Sequence, residues 1–224
     1  MGKKITEEEI REIEIQLSCP RGENGIEIGQ KMHESNIGMT KDTIEFLGLE
    51  NNNSVLELGH GNCGHLELIF GEFIGINYYG LEISETMCKE AQKIDTKGRA
   101  KFKLYDGQII PYPDNYFDRI FTVNTIYFWS DPEGMIKELE RVLKSEGIIV
   151  LTFANKSFMK DLSFVGEKFQ LFDIDDIYQL TDKSNLRIID FQNKADEAKS
   201  KTGEKVLRKY TIVKLKKAAA ANKV

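Results

Sequence analysis

Glycines and an acidic residue surround the end of a short apolar run in this chain. The run Val55–Leu58 contains Glu57 and leads into a turn with Gly59, Gly61 and Gly64. Glycine adopts backbone conformations that other residues disfavour and lets a ligand approach the backbone closely. The helix expected after the turn would point its unpaired N–H groups at the same ligand. A carboxylate in a buried strand is costly without a partner, so we expect this strand end to face a polar or cationic ligand.

Three further polar residues follow predicted strands. Glu82 ends the second apolar run, Asp106 follows the third and Asn124 follows the fourth. An acid at the end of the second strand can accept hydrogen bonds from both hydroxyls of a ribose. Because the carboxyl ends of parallel strands meet at one edge of a sheet, these residues are expected to share one ligand-binding rim with Glu57 and Gly59.

Strand and helix patterns alternate between residues 54 and 153. This alternation predicts an α/β fold with a doubly wound, mostly parallel sheet of the Rossmann-like kind. The continuous apolar run at 147–153 is typical of a central parallel strand. Two more strands, 186–192 and 206–215, are predicted as an antiparallel pair at the sheet edge, joined by a charged loop over 193–205. The sheet would then have seven strands, the last of them antiparallel.

The segment before the first strand is predicted to be helical. One helix is expected over residues 6–17, a second around 27–35 and a third over 40–47, with a break at Gly38. We interpret residues 1–50 as an N-terminal helical cap, or a lid over the ligand, within the same domain.

Composition sets limits on the class of protein. The chain has 224 residues, of which 41% are hydrophobic, enough for one packed domain over 51–217 with a tail at 218–224. The net charge of −5 argues against a large basic surface for nucleic acid. No stretch approaches the roughly 20 apolar residues of a membrane span. Cys19, Cys63 and Cys88 lack a metal-binding spacing, and without a secretion signal they are expected to be reduced thiols of a cytoplasmic protein with no metal site.

Four motifs together resemble the class I S-adenosylmethionine-dependent methyltransferases. They are VLELGHGNCG, the acid in YYGLEIS, LYDGQIIPYPDNYFDRIF and RVLKSEGIIVLTF. The chain is similar to the small-molecule branch that includes ubiquinone/menaquinone and sterol methyltransferases, and the resemblance is best over residues 30–153.

The resemblance implies S-adenosylmethionine as the cofactor and S-adenosylhomocysteine as its product. Gly59 and Gly61 would lie against the methionine part of the cofactor, and Glu57 would orient the turn and the cationic end. The backbone of Asn124 would lie near the methionine group.

The same resemblance implies where the adenosine part would bind. Glu82 would hold the ribose hydroxyls, with Ile83 against the adenine. Asp106 would accept a hydrogen bond from the adenine amino group, with Gly107 and Gln108 beside it.

The chain departs from the family's pattern at His60, where many relatives have Cys or Ala. We count His60 with the cofactor-binding residues by its place in the turn. Its side chain is expected to face solvent, and contact with the methyl acceptor is the alternative. The rest of the chain matches no subfamily, so the resemblance implies a small-molecule acceptor without identifying it.

Methyl transfer from a sulfonium is an in-line displacement that depends on alignment and exclusion of water. An acceptor with an O–H or N–H group would need a base, and His33 and Glu34 of the N-terminal segment are weak candidates. Tyr127 is a third candidate and, with Phe128 and Trp129, offers aromatic faces that can stabilise a sulfonium. Ordinary packing or surface exposure would explain each of these residues equally well.

Two other functions fit parts of the pattern. The glycine spacing and Glu82 match the fingerprint of an NAD(P)-binding oxidoreductase, although Glu57 and Asp106 count against it. A non-catalytic module that binds S-adenosylmethionine is the second alternative. The partner expected is a small-molecule methyl acceptor, and a homodimer stays open beside a monomer.

Overall fold

The central sheet has seven strands in a computed structural model that describes residues 6–199 and 205–218. The strands are β1 (Ser54–Leu58), β2 (Asn77–Glu82), β3 (Ala100–Leu104), β4 (Phe117–Val123), β5 (Leu143–Ala154), β6 (Leu186–Lys199) and β7 (Lys205–Lys217). Their spatial order is β3-β2-β1-β4-β5-β7-β6. Strands β1 to β5 pair in parallel, and β7 runs antiparallel to both β5 and β6. The predicted doubly wound sheet with an antiparallel final strand is confirmed.

Helices flank both faces of this sheet. They are α1 (Glu7–Ser18), α2 (Gly22–Leu47), α3 (Glu67–Phe70), α4 (Glu85–Ala91), α5 (Pro132–Val142), α6 (Lys156–Met159) and α7 (Ile174–Thr181). Thr6 and Glu9 form a reciprocal capping box at the start of α1. Asp131 caps α5 by accepting a hydrogen bond from the backbone N–H of Gly134. Among the helices of the described residues, none combines the length and the apolar character that crossing a membrane requires.

The side chains of β1 alternate between two buried layers. Leu58 belongs to the layer that contains Leu139 of α5, whereas Val55 belongs to the layer that contains Leu47 of α2. Because successive side chains of a strand point to opposite faces, Glu57 faces the same side as Val55. The carboxylate therefore lies on the face that α2 covers.

Helix α2 is continuous, so the break predicted at Gly38 is wrong. A glycine inside a helix costs about 1 kcal/mol relative to alanine, which tertiary contacts readily offset. Here the absence of a side chain has a packing reason, because a Cβ at position 38 would lie 3.3 Å from Oδ2 of Asp196 in β6. The helix ends where predicted, at Gly48.

The charged segment after residue 192 is also different from its prediction. Residues 193–199 were predicted to be a loop, but they extend β6 and pair with β7 through to Lys199 opposite Lys205. Arg208 of β7 ties this extension to the rest of the chain, since its Nη2 lies 2.6 Å from Oδ2 of Asp196. The remainder of the predicted loop, 200–204, and tail residues 219–224 lie outside the described residues.

Candidate functional site

A cavity opens at the carboxyl ends of β1, β2 and β4, next to α2. Strands β1 to β3 extend to one side of the sheet, whereas β4 and β5 extend to the other, so the strand order reverses between β1 and β4. Ligands bind at such a point in open α/β folds. The lining residues from the strand ends and their loops are Glu57, Gly59, His60, Gly61, Asn62, His65, Glu82, Ile83, Tyr105, Gly107, Val123, Asn124, Thr125, Phe128 and Trp129. Those from the helices and the loop between α1 and α2 are Leu17, Ser18, Pro20, Gly29, Met32, His33, Asn36, Thr40 and Met87.

The cavity brings together most of the residues that the sequence singled out. The predicted residues that line it are Glu57, Gly59, His60, Gly61, Glu82, Ile83, Gly107, Asn124 and His33. Four predicted residues are not part of the lining: Asp106, Gln108, Glu34 and Tyr127.

Glu82 is buried and held by three backbone N–H groups. Its Oε1 accepts hydrogen bonds from Ile83 N at 2.8 Å and Ser84 N at 2.9 Å. Its Oε2 accepts one from Gly61 N at 3.0 Å. A carboxylate offers about four acceptor sites, so Glu82 keeps capacity for a ligand hydroxyl while its orientation is fixed.

The glycine turn approaches neighbouring atoms closely at one position and leaves space at another. Gly59 has a φ of 70°, and a Cβ there would clash with Cγ2 of Thr125. At Gly61, by contrast, a Cβ would meet nothing within 4 Å. The first position is therefore closed to side chains by the protein, and the second opens into the cavity where a ligand can lie on the backbone.

Glu57 has partners within the protein. Its Oε2 lies 2.8 Å from Nε2 of His65 and also accepts a hydrogen bond from the hydroxyl of Tyr78, which in turn lies 3.2 Å from Sγ of Cys63. The sequence suggested a ligand as the partner of this buried acid, but His65 and Tyr78 supply it. Burial raises the pKa of both the Cys63 thiol and the Tyr78 hydroxyl, and the nearby Glu57 carboxylate adds to this.

The same cluster has the composition of a metal site. The ligand atoms of Glu57, Cys63 and His65 lie within 4.8 Å of one another. The Tyr78 hydroxyl bonds to two of the three residues. Hydrogen bonds thus account for the buried polar groups of this cluster without an ion.

His65 and His33 form a pair of imidazoles at the wall of the cavity. Their ring centroids are 6.3 Å apart with 28° between the planes. Burial lowers the pKa of His33, and His65 lowers it further. Gly64 allows this arrangement, because a Cβ there would lie 2.9 Å from Nε2 of His33. Sequence analysis missed His65; the signal was the unexplained acid in β1 followed by a histidine in the turn before the next helix.

His60 is buried, with 3% of its surface exposed, so the expectation that it faces solvent is wrong. Its Nδ1 donates to the backbone oxygen of Gly61 at 2.8 Å, and its ring lies 5.1 Å from that of Phe102. Within the described residues, its Nε2 is the one fully buried side-chain nitrogen or oxygen without a hydrogen-bond partner. Gly80 provides the room, because a Cβ there would lie 2.5 Å from Cδ2 of His60. Burial lowers the pKa of His60.

Asn124 lines the cavity, and its side chain is held by hydrogen bonds to three other residues. Its Oδ1 accepts hydrogen bonds from the Tyr127 hydroxyl at 3.0 Å and from Ala154 N at 3.2 Å. Its Nδ2 donates to Oδ1 of Asn36 in α2 at 3.2 Å. Tyr127 itself is buried, and burial raises its pKa, so its hydroxyl serves to position Asn124.

Two other predicted residues, Asp106 and Glu34, are exposed and are not among the residues that line the cavity. Asp106 is exposed, and its Oδ1 accepts hydrogen bonds from the backbone N–H groups of Ile109 at 3.0 Å and Gln108 at 2.9 Å. These bonds lower the pKa of Asp106 and close its own turn. Glu34 is exposed and accepts a hydrogen bond from Nε2 of Gln30.

Comparison with known proteins finds matches over part of the chain. The family model described as "Methyltransferase domain" matches residues 56–151. The uncharacterized methyltransferase YdaC of Bacillus subtilis (strain 168) is 29% identical over 127 residues, which cover 55% of this chain and 68% of YdaC. The ubiquinone/menaquinone biosynthesis C-methyltransferase UbiE of Azotobacter vinelandii is 31% identical over 122 residues, covering 51% of this chain and 48% of UbiE. The chain thus spans about half the length of UbiE.

A solved structure shares the fold over nearly the whole chain. The phosphoethanolamine N-methyltransferase 2 of Haemonchus contortus has a TM-score of 0.70 at 14% identity, covering 94% of this chain and 61% of that one. Residues 56–151 match a methyltransferase domain, and the sheet order and the cavity at the strand ends are those expected of a class I S-adenosylmethionine-dependent methyltransferase. The relatives of the chain include ubiquinone/menaquinone and sterol C-methyltransferases, and solved structures of this fold hold S-adenosylhomocysteine or S-adenosylmethionine. The oxidoreductase and the non-catalytic module are not favoured.

The cavity suits this donor. Glu82 offers free acceptor sites for ribose hydroxyls, and Gly61 opens onto space beside the backbone. The unpartnered Nε2 of His60 is a third buried polar atom at this wall.

Proposed function

We propose that this enzyme transfers the methyl group of S-adenosylmethionine to a small, uncharged acceptor. The observation that carries the proposal is the composition of the cavity wall, which has no Lys or Arg among its described residues. A phosphate or carboxylate on the acceptor would be buried there without a cation, which is unfavourable. Met32, Phe128 and Trp129 instead provide an apolar wall for a neutral molecule.

The cofactor supplies an electrophilic methyl group on a sulfonium, which an acceptor takes by in-line displacement. The chain's own residues align the two molecules and exclude water. We propose that Glu82 binds the ribose hydroxyls, that Ile83 and Gly107 border the adenine, and that Gly59 and Gly61 lie against the methionine part.

Roles for the remaining predicted residues have unequal support. Asn124 is among the residues that line the cavity, which supports the proposed contact between its backbone and the methionine group. Adenine recognition by Asp106, with Gln108 beside it, stays a prediction, and the bonds within the Asp106 turn give it no support.

His33 is the proposed proton acceptor for an acceptor molecule that carries an O–H or N–H group. Of the three candidates, His33 lines the cavity and Glu34 and Tyr127 do not. Its lowered pKa keeps the imidazole unprotonated near neutral pH, as proton abstraction requires.

The N-terminal helices are proposed to act as a lid. Leu17 of α1 and Met32 of α2 both line the cavity, which supports a covering role for residues 1–50 within one domain with residues 51–217.

A small-molecule acceptor rather than nucleic acid is supported by the net charge of −5. A cytoplasmic location is supported by free thiols at Cys19, Cys63 and Cys88. A homodimer stays a proposal that light scattering would test.

Isothermal calorimetry with S-adenosylmethionine tests the binding half of the proposal. Wild-type protein is expected to bind, and Glu82→Ala to bind at least about tenfold more weakly, because a charge-assisted hydrogen bond is worth about 1.5–3 kcal/mol. Glu85→Ala is the matched control, since this neighbouring acid is exposed and pairs with Lys89 outside the cavity. Equal affinity in wild type and Glu82→Ala would contradict the assigned site.

Acceptor turnover tests the catalytic half. The protein would be incubated with S-adenosylmethionine carrying a labelled methyl group and with acceptors that share an apolar ring but differ in charge. Methylation of neutral phenols or amines is expected. Preferential methylation of a phosphate ester would contradict the inference drawn from the cavity wall.

A further inference from the structure

The side-chain amide of Asn36 in α2 is held in one orientation by two hydrogen-bond donors. Its Oδ1 accepts hydrogen bonds from Nη1 of Arg208 at 2.8 Å and from Nδ2 of Asn124 at 3.2 Å. A guanidinium has donors but no acceptor, so the atom of Asn36 that faces Arg208 must be the amide oxygen and not the nitrogen. The Arg208 side chain is only 7% exposed and is itself fixed by Asp196, which prevents the amide of Asn36 from flipping.

The hydrogen bonds on the Asn124 side run in the same direction. Oδ1 of Asn124 accepts from the backbone N–H of Ala154 and from the hydroxyl of Tyr127. Its Nδ2 then donates to Oδ1 of Asn36. Hydrogen bonds aligned in this way polarise one another, which makes the last N–H donor of the series stronger. That last donor is the NH2 group of Asn36.

The NH2 group of Asn36 has no hydrogen-bond partner among the residues that the structure describes. Asn36 lines the cavity, with His33 one turn before it and Thr40 one turn after it on the same face of α2. Because the oxygen of the amide is turned toward Arg208 and Asn124, the nitrogen is the polar atom of this side chain that remains for a ligand. The cavity wall therefore offers a neutral, preoriented N–H donor.

This donor lies near the place where the methyl group is delivered. Asn36 bonds to Asn124, whose backbone is the proposed contact of the methionine part of S-adenosylmethionine. His33, the proposed base, lines the cavity from the same helix. An acceptor molecule between α2 and the sulfonium would thus have its reacting atom beside the amide of Asn36.

We propose that Asn36 donates a hydrogen bond to the nucleophilic oxygen of the acceptor, and that the enzyme is selective for O-methylation of a neutral phenol. This assignment rests on the methyl transfer proposed above and adds the atom that receives the methyl group. A hydroxyl oxygen has two lone pairs, so one can accept from Asn36 while the other attacks the methyl carbon. A neutral amine nitrogen has one lone pair, and a hydrogen bond from Asn36 to that pair blocks the attack.

The amide of Asn36 stays neutral during the transfer. A lone pair of the hydroxyl oxygen forms the bond to the methyl carbon while the bond between this carbon and sulfur breaks. The electron pair of the broken bond remains on sulfur, which becomes the neutral thioether of S-adenosylhomocysteine. The hydroxyl proton passes to His33, and Asn36 stabilises the negative charge that develops on the oxygen as this proton leaves.

The experiment compares neutral phenols with anilines of the same ring skeleton as acceptors. Incorporation of a labelled methyl group from S-adenosylmethionine would give kcat/KM for each compound, and calorimetry would give the affinity for S-adenosylhomocysteine. Wild type is expected to prefer phenols, although a neutral aniline is intrinsically the better nucleophile.

Asn36→Asp keeps an oxygen for Arg208 but places a second oxygen where the N–H donor was. It is expected to lower kcat/KM for phenols by about 10- to 100-fold, the value of a hydrogen bond to a charged oxygen. Turnover of anilines should not decrease, because the carboxylate accepts from an aniline N–H and leaves the lone pair free. Affinity for S-adenosylhomocysteine should stay within about twofold.

Asn193→Asp is the matched control, because it adds the same charge at an exposed position outside the cavity, where Oδ1 accepts from the Thr211 hydroxyl. It should retain both activities within about twofold. Asn36→Ala removes the donor without adding charge and should lower the ratio of phenol to aniline turnover at least about fivefold. If neither Asn36 variant folds, the preference of wild type decides.

Three results would overturn the assignment. They are a preference of wild type for anilines, equal losses for phenols and anilines in the Asn36 variants, or a wild type that binds S-adenosylhomocysteine and methylates neither set. Methylation of anilines alone would overturn the role of Asn36 and leave the proposed methyl transfer intact. Failure of wild type to bind S-adenosylhomocysteine would refute the proposed cofactor site itself, so the two failures are distinguishable.

Discussion

The methyl group of Thr125 occupies the space that a side chain at position 59 would need. This contact packs the glycine turn after β1 against the loop after β4. Both segments line the cavity. Gly59 also has a φ of 70°, in the left-handed region that glycine adopts without strain.

Gly59→Ala is therefore expected to lower both stability and cofactor binding. Strain and clash together should cost about 2–4 kcal/mol, more than the roughly 1 kcal/mol expected from a positive φ alone. Gly98→Ala is the matched control, because Gly98 has a φ of 78° with nothing within 4 Å of a Cβ. Urea unfolding would measure both variants.

Thr125→Ser provides the rescue for this prediction. It removes Cγ2 but keeps the hydroxyl that bonds to Thr122. The double variant should recover part of the stability lost in Gly59→Ala. If the free energy of unfolding decreases equally in Gly59→Ala and Gly98→Ala, the contact with Thr125 does not contribute to the loss of stability.

Tyr78→Phe should destabilise the protein by about 1–3 kcal/mol. The hydroxyl of Tyr78 bonds to the buried Glu57 and Cys63, so its removal leaves both with fewer partners. Tyr79→Phe is the control, since the next residue points to the other face and its hydroxyl bonds to the hydroxyl of Tyr116. An equal loss in both variants would show that the Glu57 cluster contributes no more than an ordinary hydroxyl pair.

The sheet was predictable because its signals are local. Apolar runs such as 147–153 and polar residues such as Glu82 at strand ends depend on neighbours in sequence. The extension of β6 was not predictable from the sequence, because its charged residues are stabilised by ion pairs and hydrogen bonds to residues far away in the sequence. Asp196 pairs with Arg208, and Arg208 also donates to Asn36 in α2.

The residues of the candidate site were likewise predictable where their signals are local in the sequence. Its glycines and acids were recognised because they lie at the ends of predicted strands, and the structure brings most of them to one cavity. The partners of Glu57 were not predictable, because the direction of the His65 side chain depends on the conformation of the turn before it. The burial of His60 likewise depends on the space left by Gly80 in the neighbouring strand.

Arg208→Met should cost about 1.5–3 kcal/mol of unfolding free energy. The Arg208 side chain is almost fully buried, and it bonds to Asp196, Asn36 and the backbone oxygen of Ser35. Its loss removes a hydrogen-bond donor from each of these acceptors where α2 meets β6 and β7.

Lys216→Met is the control for Arg208→Met. Lys216 pairs with Glu146, which is 87% exposed, and an exposed ion pair is worth about 0–1 kcal/mol. Thermal unfolding of the two variants side by side gives the comparison. Equal melting temperatures would contradict a structural role for the Arg208 network.

Stability should fall on mild acidification because of His60. Burial lowers its pKa in the folded protein, whereas the unfolded chain keeps a value of about 6.5. Below that pH the unfolded state binds a proton that the folded state resists, so the free energy of unfolding decreases as pH falls, by at most about 1.4 kcal/mol per pH unit for this group. The lowered pKa of His33 acts in the same direction.

Urea unfolding between about pH 7.5 and 5.5 would measure this slope while most carboxylates remain ionised. His60→Asn keeps an amide N–H near the position of Nδ1 but does not titrate, so its slope should be smaller than that of wild type. His33→Gln separates the second contribution. A wild-type midpoint that is constant or rises toward low pH would show that the buried imidazole of His60 accepts a proton without cost, and its Nε2 would then have a partner in solution.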